Sequence, residues 1–183
     1  MTGRCSAGIG LERGAVRLEP HHAAWAERYQ EERARLAAAL GPRVLDIQHV
    51  GSTAIPGLLA KPILDLAIAV TSFEAAAACI APLEALGYLY RGENGIPRRH
   101  YFVLRAPDGE TTLVHVHMLE IGSAEWEKHL LFRDYLRAHP EDARAYTALK
   151  QGLVEQFRDD RLAYTEGKAA FIARILALAR AKA

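Results

Sequence analysis

Hydrophobic and polar positions alternate through much of the first two thirds of the chain, and they recur at helical spacing elsewhere. Residues 62–70 are apolar except for Asp65, which indicates a strand that is buried on both faces. The turn-forming run 106–110 predicts a hairpin between the last two strands. The whole pattern predicts strands at 16–18, 44–50, 62–70, 88–91, 101–104 and 113–119.

Apolar residues at helical spacing predict a first helix that begins at Pro20 and ends at Gly41. A second helix is capped by Thr71 or Ser72 and runs to Gly87. Three more helices follow Gly122, and they begin after Ser123, at Pro140 and after Asp160. In the last of these, Lys168 shares the apolar stripe formed by Tyr164, Phe171, Ile172, Ile175 and Ala179.

This order of elements predicts an α+β fold, with a small mixed sheet flanked by helices and a C-terminal helical layer. We expect one domain over residues 15–183, with the sheet in residues 15–120 and the helical part in 122–181. Residues 1–14 contain four glycines and little periodicity, so they are expected to be a poorly ordered leader.

The composition and charge of the chain limit the classes of partner that we expect it to bind. Lysine and arginine number 23 against 22 acidic residues, so the formal charge of +1 gives no evidence for nucleic acid or an anionic membrane as partner. No apolar run is long enough to span a bilayer, so a soluble, cytoplasmic protein is expected. Cys5 and Cys79 give neither a disulfide framework nor zinc-ligand spacing.

The candidate chemistry lies between His49 and Asp65. A Gly51-Ser52 turn after a strand lets the backbone approach a phosphate, and the hydroxyls of Ser52 and Thr53 can donate hydrogen bonds. Asp65 on the next strand can bind a divalent cation beside that phosphate. The tripeptide by itself favours a simpler interpretation, a tight loop with a capping hydroxyl, because such turns are common.

A longer string of motifs resembles the GrpB family, which belongs to the nucleotidyltransferase-like superfamily related to DNA polymerase β. The resemblance covers roughly residues 15–178, and its motifs are residues 49–66, 98–102, 115–117, 125–137 and 164–171. It implies the nucleotidyltransferase fold. It also implies an association with coenzyme A metabolism, because such domains are fused to dephospho-CoA kinase.

In that superfamily the Gly-Ser turn binds nucleotide phosphate, and three acids hold two magnesium ions. The resemblance places Gly51 and Ser52 at the turn and Asp65 at the first acid, as the catalytic residue. Ala67 stands at the second acid, and His115 and His117 lie on the strand expected to carry the third.

The two-metal site is therefore incomplete. Asp65 with His115 and His117 could instead hold one divalent ion, Mg, Mn or Zn, or the histidines could be hydrogen-bonded groups on a strand face. His49 is a further candidate, either as a ligand or as a hydrogen bonder that stabilises the turn.

Four basic residues are candidates for phosphate binding. Arg98 and Arg99 fit as phosphate or carboxylate clamps, although solvated surface arginines are the alternative. Lys61 is placed to reach back over the turn, or it is an ordinary loop lysine. Lys168 either faces a cleft, where it needs an anion, or extends from the edge of its stripe to water.

These observations lead to three hypotheses. The first is a GrpB-like protein that binds a nucleotide or other phosphorylated small molecule with a divalent metal, with nucleotidyl or phosphoryl transfer as a further expectation. The second is a non-catalytic ligand- or partner-binding module on the same fold. The third is a single-metal hydrolase that uses Asp65 and the histidines, and the sequence leaves open whether the protein is an enzyme.

Overall fold

The computed structural model describes residues 8–158 and 160–182, and its centre is a mixed six-stranded sheet. The strand order is β2-β3-β6-β5-β4, with β1 paired to β6. Strands β3 and β6 are parallel neighbours, and the other pairs are antiparallel. The strands are β1 (Leu11–Glu12), β2 (Asp46–Val50), β3 (Leu64–Val70), β4 (Tyr88–Tyr90), β5 (Arg99–Arg105) and β6 (Thr111–Glu120).

Helices cover both faces of this sheet. They are α1 (Ala24–Leu40), α2 (Phe73–Ala76), α3 (Ile80–Ala85), α4 (Ala124–Ala138), α5 (Pro140–Gln156), α6 (Arg161–Glu166) and α7 (Ala169–Arg180). Short 3-10 turns lie at residues 41–43, 52–54 and 77–79. In the part of the chain that the structure describes, no helix combines the length and apolar character needed to cross a membrane.

Strand alternation assigns the two faces of the sheet. The even-numbered residues of β3 and the apolar residues Val114, Val116 and Met118 of β6 pack against α1 and α3 in the main core. On the other face, Ala67, Ala69 and Leu119 pack against Trp126 of α4. The predicted α+β architecture with a C-terminal helical layer is confirmed, and Asp65 lies on the face that this layer covers.

The N-terminal part differs from its prediction. Residues 1–7, with Cys5, lie outside the described residues, but the rest of the expected leader is ordered into the fold because Ile9 and Leu11 are buried. Leu11 pairs with Thr112 in β1. The prediction of a strand at 16–18 is wrong, because the described residues form an isolated bridge from Glu19 to Ala60 there instead.

Three helices also differ in their bounds. The first begins at Ala24, four residues after Pro20. The helix predicted from Ser72 to Gly87 is divided into α2, a 3-10 turn and α3, although Ser72 caps it as expected. The last helix is divided at Gly167 and Lys168 into α6 and α7, and the backbone at Gly167 comes so close to Leu153 that a Cβ there would clash.

Candidate functional site

The Gly-Ser turn follows β2 directly and lies against β3. The antiparallel register pairs Val50 with Asp65, so the turn begins beside that carboxylate. Gly51 has φ +68°, and a Cβ added there would lie 2.6 Å from Oδ2 of Asp65. Both the backbone conformation and the close approach therefore require glycine. Ser52 opens the short 3-10 turn at the edge of a cavity.

This cavity has a volume of about 370 Å³ and lies between the turn, the covered face of the sheet and helices α4 to α7. It brings together most of the predicted site residues, although they come from distant parts of the chain. The predicted residues that line it are Gly51, Ser52, Thr53, Lys61, Asp65, Arg99, His115, His117 and Lys168.

Arg98 does not reach the cavity, contrary to the expectation that it binds phosphate there. Its exposed guanidinium forms ion pairs with Glu74 at 3.1 Å and with Glu120 at 3.0 Å. Arg98 precedes β5 and has φ +60°, so it lies outside the regular alternation of that strand. Arg99, the first residue of β5, lies on the cavity side, and its guanidinium donates to the backbone oxygens of Glu93 and Asn94.

His49 stabilises the turn from outside the cavity. Its Nε2 lies 3.0 Å from Oγ1 of Thr53, and its ring stacks on Tyr29 with the centroids 4.8 Å apart. Burial lowers the pKa of His49 to about 4, so the imidazole is neutral at physiological pH. This arrangement matches the turn-stabilising alternative and gives His49 no contact with a ligand in the cavity.

Asp65 lies close to both strand histidines and accepts a hydrogen bond from His115. Its Oδ1 lies 3.0 Å from Nδ1 of His115 and 3.7 Å from Nε2 of His117. Burial by itself would raise the pKa of Asp65, but the hydrogen bond from His115 and the nearby imidazole of His117 hold it well below its usual value. The carboxylate is therefore ionised, and each imidazole directs an N–H towards it.

These three residues converge, but their arrangement does not fit the predicted Mg, Mn or Zn. A guanidinium can only donate, so Nδ1 of His117, 3.2 Å from Arg99, is an acceptor, and Nε2 carries the proton. Nδ1 of His117 thus faces Arg99 and Nε2 faces Asp65, so neither nitrogen offers a free lone pair to a metal ion. Across residues 8–158 and 160–182, no group of three or more His, Cys, Asp or Glu side chains is arranged to hold a metal ion. Ala67, on the same face as Asp65, supplies no second acid.

Lysines form the most unusual feature of the cavity. Nζ of Lys150 lies 3.3 Å from Oγ of Ser52, and its side chain is almost fully buried. Lys61 and Lys168 lie over the ring of Tyr164, with Nζ 5.4 Å and 4.5 Å from its centroid. Among the described residues, none of the three lysines forms an ion pair with an acid.

Burial acts on all three ammonium groups, and repulsion from neighbouring cations adds to it. Burial, with repulsion from the other two lysines, lowers the pKa of Lys150 to about 7. Burial lowers the pKa of Lys61 to about 8, with a further contribution from Lys168. The pKa of Lys168 also falls to about 8 through burial. Three lysines with lowered pKa values thus line one cavity, and perturbed groups of this kind are typical of a functional site.

Sequence reasoning missed several residues of this cavity, and one of them had a usable signal. Lys150 lies four residues after Tyr146 and three before Leu153, which are the other buried residues of α5. A lysine within an apolar stripe was the signal that selected Lys168, and it applies equally to Lys150. The other missed lining residues, which include Glu125, Lys128, His129 and Arg161, have no such pattern.

His129 is a further histidine near Asp65, and its imidazole is neutral. Its ring lies 4.8 Å from that of His117, and burial lowers its pKa to about 3. Glu125 and Lys128 form their own ion pair at 3.2 Å, so they add no net charge to the cavity. The lining is therefore strongly cationic, because Asp65 is the acid within reach of Arg99, Arg161 and the three lysines.

The architecture and the position of this cavity define a protein of the nucleotidyltransferase-like fold. The structure of the Cid1 poly(U) polymerase bound to MgGTP is similar with a TM-score of 0.53 at 16% identity, and the match covers 75% of this chain and 45% of that one. The sequence model described as GrpB protein matches residues 15–178. The chain belongs to the GrpB family.

Relatives and one solved structure agree with this assignment. The crystal structure of the conserved protein GrpB from Enterococcus faecalis has a TM-score of 0.83 at 34% identity, covering 91% of this chain and 98% of that one. A UPF0157 protein of Pseudomonas aeruginosa is 41% identical over 91% of this chain and 68% of its own length.

Two further relatives are longer than this chain. A UPF0157 protein of Bacillus subtilis is 46% identical over 79% of this chain, and the match covers 41% of its own length. A dephospho-CoA kinase of Mycolicibacterium paratuberculosis is 30% identical over 86% of this chain and 44% of its own length. The chain thus spans less than half the length of these two relatives.

Proposed function

We propose that the protein binds a phosphorylated small molecule, such as a nucleotide, in this cavity. The observation that carries the proposal is that Lys61 and Lys168 line one cavity with Ser52, while neither lysine forms an ion pair with an acid among the described residues. Burying these two ammonium groups without ion-pair partners costs free energy, and a bound phosphate offsets that cost by pairing with them. An uncharged ligand would leave the cost in place.

The remaining walls suit the organic part of such a ligand. Ile63, Ile96, Phe132 and Ile172 give the cavity an apolar side opposite the charged groups. A volume of about 370 Å³ lies within the range of about 300–1,000 Å³ that is typical of small-molecule sites. In this proposal Ser52 donates a hydrogen bond to a phosphate oxygen, and Arg99 adds charge near the Asp65 group.

The arrangement supports binding more strongly than metal-dependent transfer or hydrolysis. Two-metal transfer needs a second acid at Ala67, and a single-metal hydrolase needs free lone pairs on His117. Likeness to a polymerase in fold does not bring its activity with it. Binding of a phosphorylated ligand therefore explains the residues of the cavity without a metal ion.

Titration calorimetry with pyrophosphate and a panel of nucleotides, in buffer with EDTA, tests the proposal. Each of Lys61→Met and Lys168→Met is expected to weaken binding about 10-fold or more, because a hydrogen bond to a charged group contributes about 1.5–3 kcal/mol. Lys182→Met is the matched control, since Lys182 is exposed and lies against Tyr135 and His139.

The proposal is wrong if the wild-type protein shows no saturable binding to any of these anions. It is equally wrong if the two cavity variants bind as tightly as the Lys182 control. Circular dichroism and thermal unfolding of each variant separate a lost ligand contact from a lost fold.

A further inference from the structure

Ser52 and Lys150 make a direct contact that phosphate binding by itself does not require. Their side chains come from positions 98 residues apart, yet Oγ and Nζ lie 3.3 Å apart at the cavity wall. A lysine that only neutralised a ligand could approach it from any side. This one is held against the hydroxyl that opens the turn.

The position of the Lys150 amine is fixed by two other groups. Nζ donates a hydrogen bond to the carbonyl oxygen of Leu59, and it lies 4.6 Å from the ring centroid of Tyr146. An uncharged amine that gives one N–H to Leu59 still has a lone pair to accept the proton of Ser52. The lowered pKa of Lys150, about 7, adds support because the uncharged form is then populated near neutral pH.

We propose that Ser52 is a nucleophile and that Lys150 is its base, directed at the phosphorus of a phosphate ester or anhydride held in the cavity. The proposal rests on the proposed function for the placement of the phosphate. It assigns a role to the serine beyond holding that phosphate, and it needs no metal ion. Nucleophilic serines with a lysine base are known on unrelated folds.

The step is balanced in atoms and electrons. The O–H proton of Ser52 passes to Nζ of Lys150 while a bond forms between Oγ and phosphorus. The bond from phosphorus to the leaving oxygen breaks, and that oxygen takes the electron pair and then the proton from Lys150. The products are a phosphorylated Ser52 and the released alcohol or phosphate, while Lys61 and Lys168 stabilise the charge on the non-bridging oxygens.

Labelling with diisopropyl fluorophosphate, followed by intact mass and peptide mapping, tests the pair directly. Oγ of Ser52 displaces fluoride from phosphorus, so one diisopropyl phosphoryl group is expected on Ser52. Ser52→Ala should abolish the adduct, and Ser72→Ala, at an exposed helix cap, should leave it unchanged. Lys150→Arg keeps a positive charge but cannot serve as a base, so labelling should slow about 100-fold or more.

Pyrophosphate calorimetry on the same samples keeps the two proposals separate. Binding of pyrophosphate without any adduct on Ser52 overturns the nucleophile and leaves the proposed function standing. An adduct on Ser52 without pyrophosphate binding supports the nucleophile and overturns the proposed function. Labelling of Lys150→Arg at the wild-type rate overturns the role of base. If that variant does not fold, Lys150→Met and Lys150→Gln provide the same comparison.

Discussion

The stability of the protein is expected to depend on pH through Lys150, and replacing this residue by methionine reveals how much. Below pH 7 the side chain is protonated in both the folded and the unfolded state, so the wild-type protein carries the full cost of a buried charge. Between pH 7 and 10.5 the folded protein loses this proton while the unfolded chain keeps it. The unfolded state then binds more protons, so the wild-type protein becomes more stable as the pH rises.

The magnitude follows from the pKa of Lys150. A decrease from 10.5 to about 7 corresponds to about 5 kcal/mol in total, at about 1.36 kcal/mol per pKa unit. Between pH 7 and 9.5, the free energy of unfolding of the wild-type protein should rise by about 3 kcal/mol relative to Lys150→Met. The variant also loses the hydrogen bonds to Ser52 and Leu59, but that loss of about 1–3 kcal/mol adds an offset with little dependence on pH.

Urea unfolding of both proteins at pH 6, 7, 8, 9 and 9.5 measures this difference. Lys182→Met serves as the control, because an exposed lysine should give a difference that stays constant with pH. A constant difference between the wild-type protein and Lys150→Met would refute the reasoning, since it would show that Lys150 keeps an ordinary pKa in the folded state.

Three other outcomes are expected. Gly51→Ala should lower the free energy of unfolding by at least about 1 kcal/mol more than Gly57→Ala, because both have positive φ but only the first brings a Cβ against Asp65; equal losses in urea unfolding would contradict the close approach. Arg99→Ala should weaken pyrophosphate binding measured by calorimetry, while Arg98→Ala should not, since Arg98 pairs with acids outside the cavity; the reverse order would contradict this placement. Pyrophosphate binding at pH 8 should take up protons, because the anion raises the lowered pKa values of Lys61 and Lys168; calorimetry in buffers of different ionisation enthalpy would show no such uptake if those two lysines were already fully protonated.

The sequence by itself determined the features that depend on local periodicity and chain direction. Alternation placed His115 and His117 on one face of their strand, the GrpB resemblance put that strand at the same site as Asp65, and the structure finds the three residues together. The glycine at position 51 and the helix cap at Ser123 followed from backbone geometry that neighbouring residues impose. The GrpB motifs then implied the nucleotidyltransferase fold, which no local pattern contains.

Only the tertiary structure decided which side chains meet in the cavity and in what state. Lys150 and Lys168 have the same signal in the sequence, but contact with Ser52 becomes visible only when α5 packs beside the turn. Arg98 and Arg99 are neighbours in the chain, but Arg98 pairs with Glu120 outside the cavity while Arg99 contacts His117. Charge, hydrogen bonding and burial act through space between residues far apart in sequence, and the lowered pKa values of the lysines arise from that proximity.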